Sequence, residues 1–171
     1  RRVLFRSIAC DVSNYEALKK ISREIRSAGT KVTALINAAG VASMNLALTT
    51  PPEVTYRVIN VNLLGTIFAS QIFAPLMIRE KFGRIINFSS IAVSLGTKGE
   101  SIYSASKAGI ESFTKTLARE LWNFEITVNC ISPGPIDTDL IRGVSKSQIA
   151  NIVSAQIIQK QLATSDVADL V

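Results

Sequence analysis

Tyr103 and Lys107 stand four residues apart near the start of a stretch with helical period, 101–124, so their side chains share one helix face. A phenol is a poor acid at neutral pH, with a reference pKa of about 10, and a neighbouring ammonium stabilises the phenolate and lowers that value. The pair is a candidate general acid/base that needs no histidine. The 171 residues contain none, which excludes a Ser-His-Asp triad, a His base and any His-containing zinc site. A chance Tyr-x-x-x-Lys is expected in roughly one chain in six of this composition, so the pairing counts only through its surroundings, and the rival reading is an exposed helix face. Ala105, Ser106, Ala108 and Gly109 are small enough for a large ligand to approach closely. Ser90, at the end of the preceding strand, could donate a hydrogen bond to a carbonyl or alkoxide oxygen.

These groups can act only if the elements around them converge. Short apolar runs rich in β-branched residues alternate with helical stretches, the pattern of βαβ units and a parallel sheet buried on both faces. Residues 7–12 read as the tail of a strand, and Ser13 to Glu16 as a capping box opening a helix that Gly29 ends. Strands are expected at 32–36, 85–88 and 126–131. A second capping box at Thr50, Pro51, Pro52 and Glu53 starts a long helix running to about residue 81. Its apolar run 58–78 is long enough for a membrane span, but Asn60, Asn62, Gln71 and Pro75 interrupt it, and a helix buried on most sides is the reading adopted. An all-round apolar helix either meets another subunit or is covered by its own domain.

In open parallel sheets ligands bind beyond the carboxyl ends of the strands. Those ends read Asp11-Val12, Asn37-Ala38-Ala39-Gly40, Ser89-Ser90 and Ser132-Pro133-Gly134-Pro135. Each apolar run hands over to small or polar residues. Strand-to-loop junctions favour such residues in any case, so one junction would mean little and four together tip the balance modestly toward a ligand site.

Joined in order and spacing, Asn37-Ala38-Ala39-Gly40, Val61-Asn62-Leu63, Ser90, Tyr103-Ser104-Ala105-Ser106-Lys107 and Pro133-Gly134 resemble the motifs of the classical short-chain dehydrogenases/reductases. The resemblance runs over residues 8–171 and is closest in flavour to the 3-oxoacyl-[acyl-carrier-protein] reductase branch. It implies a Rossmann-like, doubly wound parallel sheet in a three-layer α/β/α domain. It also implies hydride transfer between NAD(P)H and a carbonyl or secondary alcohol. Tyr103 would be the acid/base, Ser90 would orient the substrate oxygen, and Lys107 would lower the Tyr103 pKa and bind the nicotinamide ribose. Asn62 would hold a water linking Lys107 to solvent, with a structurally satisfied buried amide as the rival. Asp11 and Val12 would flank the adenine, and Asn37, Ala38, Ala39 and Gly40 would line the adenosine side. Pro133, Gly134, Ile136 and Thr138 would contact the nicotinamide end, and residues 137–160 would form a substrate lid. The branch favours NADP(H) over NAD(H), although the residue that selects between them and the glycine-rich turn of the first strand are not in this sequence. Carrier-protein reductases place basic residues at two points; Lys81 matches one, and Phe124 stands at the other.

Composition adds limits. With 47% hydrophobic and 19% charged residues the chain can bury one substantial core. Cys10 and Cys130 lack metal-ligand or CxxC spacing and read as reduced, buried thiols of a cytoplasmic protein, with no metal site. Residues 2–7 resemble a translated sequencing adapter, so 1–7 are set apart as a candidate artefact, and 8–171 read as the central and C-terminal part of one domain truncated at both ends. Without Arg1, Arg2 and Arg6 the net charge of +6 becomes +3. The basic residues do not cluster, which argues against a nucleic-acid partner. The expected partners are a small-molecule or carrier-bound carbonyl substrate and further copies of the chain, joined through helices 51–80 and 101–123 into a homodimer or homotetramer.

Overall fold

A computed structural model describes residues 6–141 and 144–171. Its centre is a three-stranded parallel sheet of β1 (Ala34–Asn37), β2 (Gly83–Phe88) and β3 (Ile126–Ile131), in that spatial order. Asn37 pairs with Asn87, and Asn87 with Cys130, so the carboxyl ends of the three strands lie side by side.

Helices α1 (Tyr15–Ser27), α3 (Gly65–Glu80) and α5 (Ser101–Leu121) pack on one face of this sheet. Met77 and Ala74 of α3 and Leu121 of α5 enclose Ile85, Ile126 and Val128, while Leu18 of α1 meets Ala69, Ile72 and Phe73 of α3. A polar seam crosses the same face. The Asn37 amide donates to Asn87 at 2.8 Å and to Ser70 at 3.3 Å, and the Asn87 amide donates to Thr114 at 2.9 Å. Burial of these groups is tolerable because each finds a partner.

The Rossmann-like α/β order is the one expected, with two of the three expected layers built by the described residues. Burial alternates along β2 and β3, and Arg84, Thr127 and Asn129 point to an open face on which Ile36 is 49% exposed. Among the described residues, helices cover one face of the sheet.

Several local expectations change. Residues 7–12 form no strand, because no ladder partner stands beside them among the described residues. The cap of α1 is Asn14, whose side chain accepts from the Ala17 amide, while Ser13 is held by Asp11. Thr50 caps nothing; its hydroxyl donates to the Leu46 carbonyl, and Pro51 occupies the cap position. The long helix is α2 (Pro52–Val58), a π-helical stretch Ile59–Leu64 and then α3. By length and hydropathy Pro52–Glu80 could cross a membrane, yet Asn62, Thr66, Ser70 and Met77 are buried within the fold. Cys10 and Cys130 are free and half-buried.

Beyond β3, α6 (Lys146–Ser154) and α7 (Thr164–Ala168) follow, with a single bridge between Ile136 and Leu162. A short helix α4 (Ala92–Leu95) precedes α5. Residues 142 and 143 of the expected lid, like 1–5 of the candidate artefact, lie outside the described residues.

Candidate active site

The strand ends, the first turns of α5 and the segment after β3 enclose one cavity of about 450 Å³. Of the residues singled out from sequence, Ala38, Gly40, Ser90, Tyr103, Lys107, Pro133, Gly134, Ile136 and Thr138 line it. Leu140, Ile141, Ile149 and Ile152 form an apolar wall from the expected lid.

Tyr103 and Lys107 lie on the first two turns of α5 and are 7% and 5% exposed. Tyr103 and Ser90 line the same cavity, and the Ser90 side chain accepts from the Ala92 amide at 3.2 Å. Ser90 and Tyr103 therefore present two hydroxyls to the same cavity. Burial pushes the Tyr103 phenol above its ordinary value, the neighbouring Ser90 hydroxyl pulls it back, and nearby Glu100 raises it. The expected tuning of Tyr103 by Lys107 thus gives way to burial. The ammonium donates instead to the Phe88 carbonyl at 2.8 Å and stands 5.8 Å from the tyrosine ring centre. Its own burial brings Lys107 down to about 8.

Gly40 explains how the loop after β1 reaches this pair. A Cβ there would stand 3.4 Å from the Asn62 Oδ1 and 3.7 Å from the Lys107 Nζ. Asn62, in the π-helical stretch, fastens that loop: its Oδ1 accepts from the Val41 amide at 2.8 Å, and its amide donates to the Val41 carbonyl at 2.9 Å and to Ser106 at 3.0 Å. Its side chain is thus spent on loop and helix. The structure supports the rival reading of Asn62, a satisfied buried amide, and gives it a positioning role.

Asp11, Val12, Asn37 and Ala39 do not line the cavity. Asp11 is exposed and accepts from the Ser13 amide and hydroxyl, which hold its carboxyl below the usual range. Val12 packs against Gly65, and the Asn37 side chain belongs to the seam beneath the sheet. The Thr138 hydroxyl is turned to the Ile136 carbonyl at 3.4 Å.

The chemistry of the lining fits the nicotinamide-ribose half of a dinucleotide. A lysine ammonium, small residues at 38, 40 and 134 and a threonine hydroxyl border an otherwise apolar space.

Sequence reasoning missed three contributors. Glu100, just before α5, lines the cavity and has its carboxyl raised by burial, against a lowering by neighbouring Thr97. Glu111, one turn beyond Lys107, accepts from Ser89 at 2.7 Å and from Ser132 at 3.4 Å, tying the ends of β2 and β3 to α5. Met44 closes the cavity from the loop after β1. Helical spacing from Tyr103 could have flagged both glutamates; nothing local marks Met44.

A parallel sheet with a Ser-Tyr-Lys cluster at its carboxyl edge defines a class, and comparison with known proteins supplies the family. The family model for short chain dehydrogenase matches residues 2–149, and the chain belongs to that family. It is 33% identical over 147 residues to a 3-oxoacyl-[acyl-carrier-protein] reductase of Synechocystis, covering 86% of this chain and 60% of the relative. It is 35% identical over 147 residues to carbonyl reductase family member 4 of Xenopus tropicalis, covering 86% of this chain and 62% of that protein. The chain thus spans about 60% of the length of the curated relatives it matches. A crystal structure of gox2181 superposes with a TM-score of 0.88 at 23% identity, over 95% of this chain and 65% of that one.

Proposed function

We propose that the protein is an NAD(P)-dependent oxidoreductase that interconverts a carbonyl and a secondary alcohol. The single observation that carries this is that Ser90, Tyr103 and Lys107 line one cavity at the carboxyl ends of the strands. A bound nicotinamide supplies or accepts the hydride. In the reducing direction the substrate oxygen takes hydrogen bonds from Ser90 and Tyr103, and Tyr103 gives it a proton. The Lys107 ammonium, which lines the cavity beside Tyr103, is the group that would bind the nicotinamide ribose. In the oxidising direction the phenolate takes the alcohol proton. NADP(H) is the proposed form of the cofactor, on the flavour of the family branch.

The apolar wall of Leu140, Ile141, Ile149 and Ile152 suits a substrate with a hydrophobic body. A carrier-bound 3-oxoacyl chain, named in several relatives' names, is the specific substrate proposed, with a proposed role in cytoplasmic fatty acid synthesis. Phe124 in place of a basic residue, with a carbonyl reductase at similar identity, favours a free hydrophobic ketone as the second reading.

Tyr103→Phe tests the assignment. In the complete protein it should lower kcat by about a thousandfold or more while the dissociation constant for NAD(P)H stays within about threefold. Retained turnover would overturn the role of Tyr103.

A further inference from the structure

We infer that Glu100 makes the substrate cavity selective for carbonyl compounds that carry a hydroxyl or amino hydrogen-bond donor near the reacting carbon. The same residue turns the cavity against oxo acids and other substrates that offer only acceptors or negative charge there. This rests on the carbonyl-alcohol reading above and narrows its substrate class.

Glu100 immediately precedes α5, three residues before Tyr103, and both line the cavity. Among the described lining residues it is the only carboxylate, set against the alkyl groups of Met44, Leu95, Ile149 and Ile152. It is half-buried, and no ion pair found among the described residues includes it. The one ammonium in the cavity, Lys107, is directed to the Phe88 carbonyl. The Glu100 amide donates to the Thr97 carbonyl at 3.2 Å, which holds the turn that carries the side chain, and a carboxylate has acceptor positions on both oxygens.

Glu100 caps the helix that carries Tyr103, so a carbonyl held at Ser90 and Tyr103 would bring its adjoining carbons into the part of the cavity that Glu100 lines. An ionised carboxylate only accepts hydrogen bonds. A hydroxyl or ammonium on those carbons satisfies it with a charge-assisted bond, whereas a second carboxylate is repelled and a second carbonyl leaves both acceptors unpaired in an apolar cavity. The 3-oxoacyl thioesters belong to the last group, so Glu100 favours the free-ketone reading. Its charge also explains part of the upward pressure on the Tyr103 phenol.

The test compares matched substrates in the complete protein with NADPH: an alkyl aryl ketone bearing an α-hydroxyl, the corresponding α-oxo acid, and an acetoacetyl thioester. The unmodified enzyme should prefer the hydroxyketone to either partner by about tenfold or more in kcat/KM. Glu100→Gln, which keeps the shape and adds a donor, should cut those ratios at least about fivefold, mainly through KM, and move the pH profile of alcohol oxidation to lower pH. Equal ratios in the two proteins overturn the inference and leave the carbonyl-alcohol reading standing. No turnover of any carbonyl compound overturns both. Inhibition of the unmodified enzyme gives a readout independent of the variant's folding: an anionic product analogue that competes as tightly as its neutral hydroxyl counterpart overturns the selectivity.

Discussion

Lys107 shows how a reactive residue weakens the fold that holds it. Buried to 5% exposure, its ammonium releases its proton at about 8, against 10.5 in the unfolded chain. Between those values the unfolded chain binds more protons, so stability rises with pH from about 8 to 10.5, and below 8 the cost of the buried charge is present in full. That cost is about 3 kcal/mol at most. Lys107→Met should therefore be more stable at pH 7 by about 1–3 kcal/mol in denaturant titrations, and the advantage should shrink as pH approaches 10. An advantage equal at both ends of the range would show that packing, not charge, explains it. Sequence alone placed Tyr103, Lys107 and Ser90 together because they sit on a helix turn and a strand end. It misjudged which force sets the tyrosine, since burial depends on residues distant in the chain.

The elements meet at a few narrow contacts, and two of them can be tested. Glu111 binds Ser89 and Ser132 through one carboxylate oxygen, so α5 carries both the reactive pair and the clasp that fixes the loops around it. Glu111→Ala should lower kcat about tenfold through misplaced Ser90, whereas Glu111→Gln, which retains an acceptor oxygen, should recover most of it. Equal losses in the two variants would reject the clasp. Gly65 begins α3, where alanine would gain about 1 kcal/mol of helix propensity. There its Cβ would stand 2.7 Å from the Val12 Cγ2, closer than side chains approach, so the clash decides the sign. Gly65→Ala should cost about 1–3 kcal/mol, and adding Val12→Ala should return much of it; no recovery would place the strain elsewhere. The positions of β2, β3 and α5 were legible from apolar runs and period. Caps were not, because Ser13 and Thr50 had competing partners in Asp11 and the Leu46 carbonyl.

At the scale of the molecule, helices on one sheet face leave apolar groups on other surfaces, including Tyr56 on α2 at 67% exposure. The proposed association through helices 51–80 and 101–123 predicts a sedimentation mass of two or four chains, and Tyr56→Arg should shift it toward one. A monomer at micromolar concentration would reject that association. What the sequence determined by itself was the alternation of strand and helix and the residues able to move a proton, because period and side-chain chemistry are local properties. Tertiary structure decided the rest. It assigned Asn62 and Asn37 to holding loops and seams and placed Glu100 inside the cavity, because burial and hydrogen-bond partners depend on which distant segments the sheet brings together.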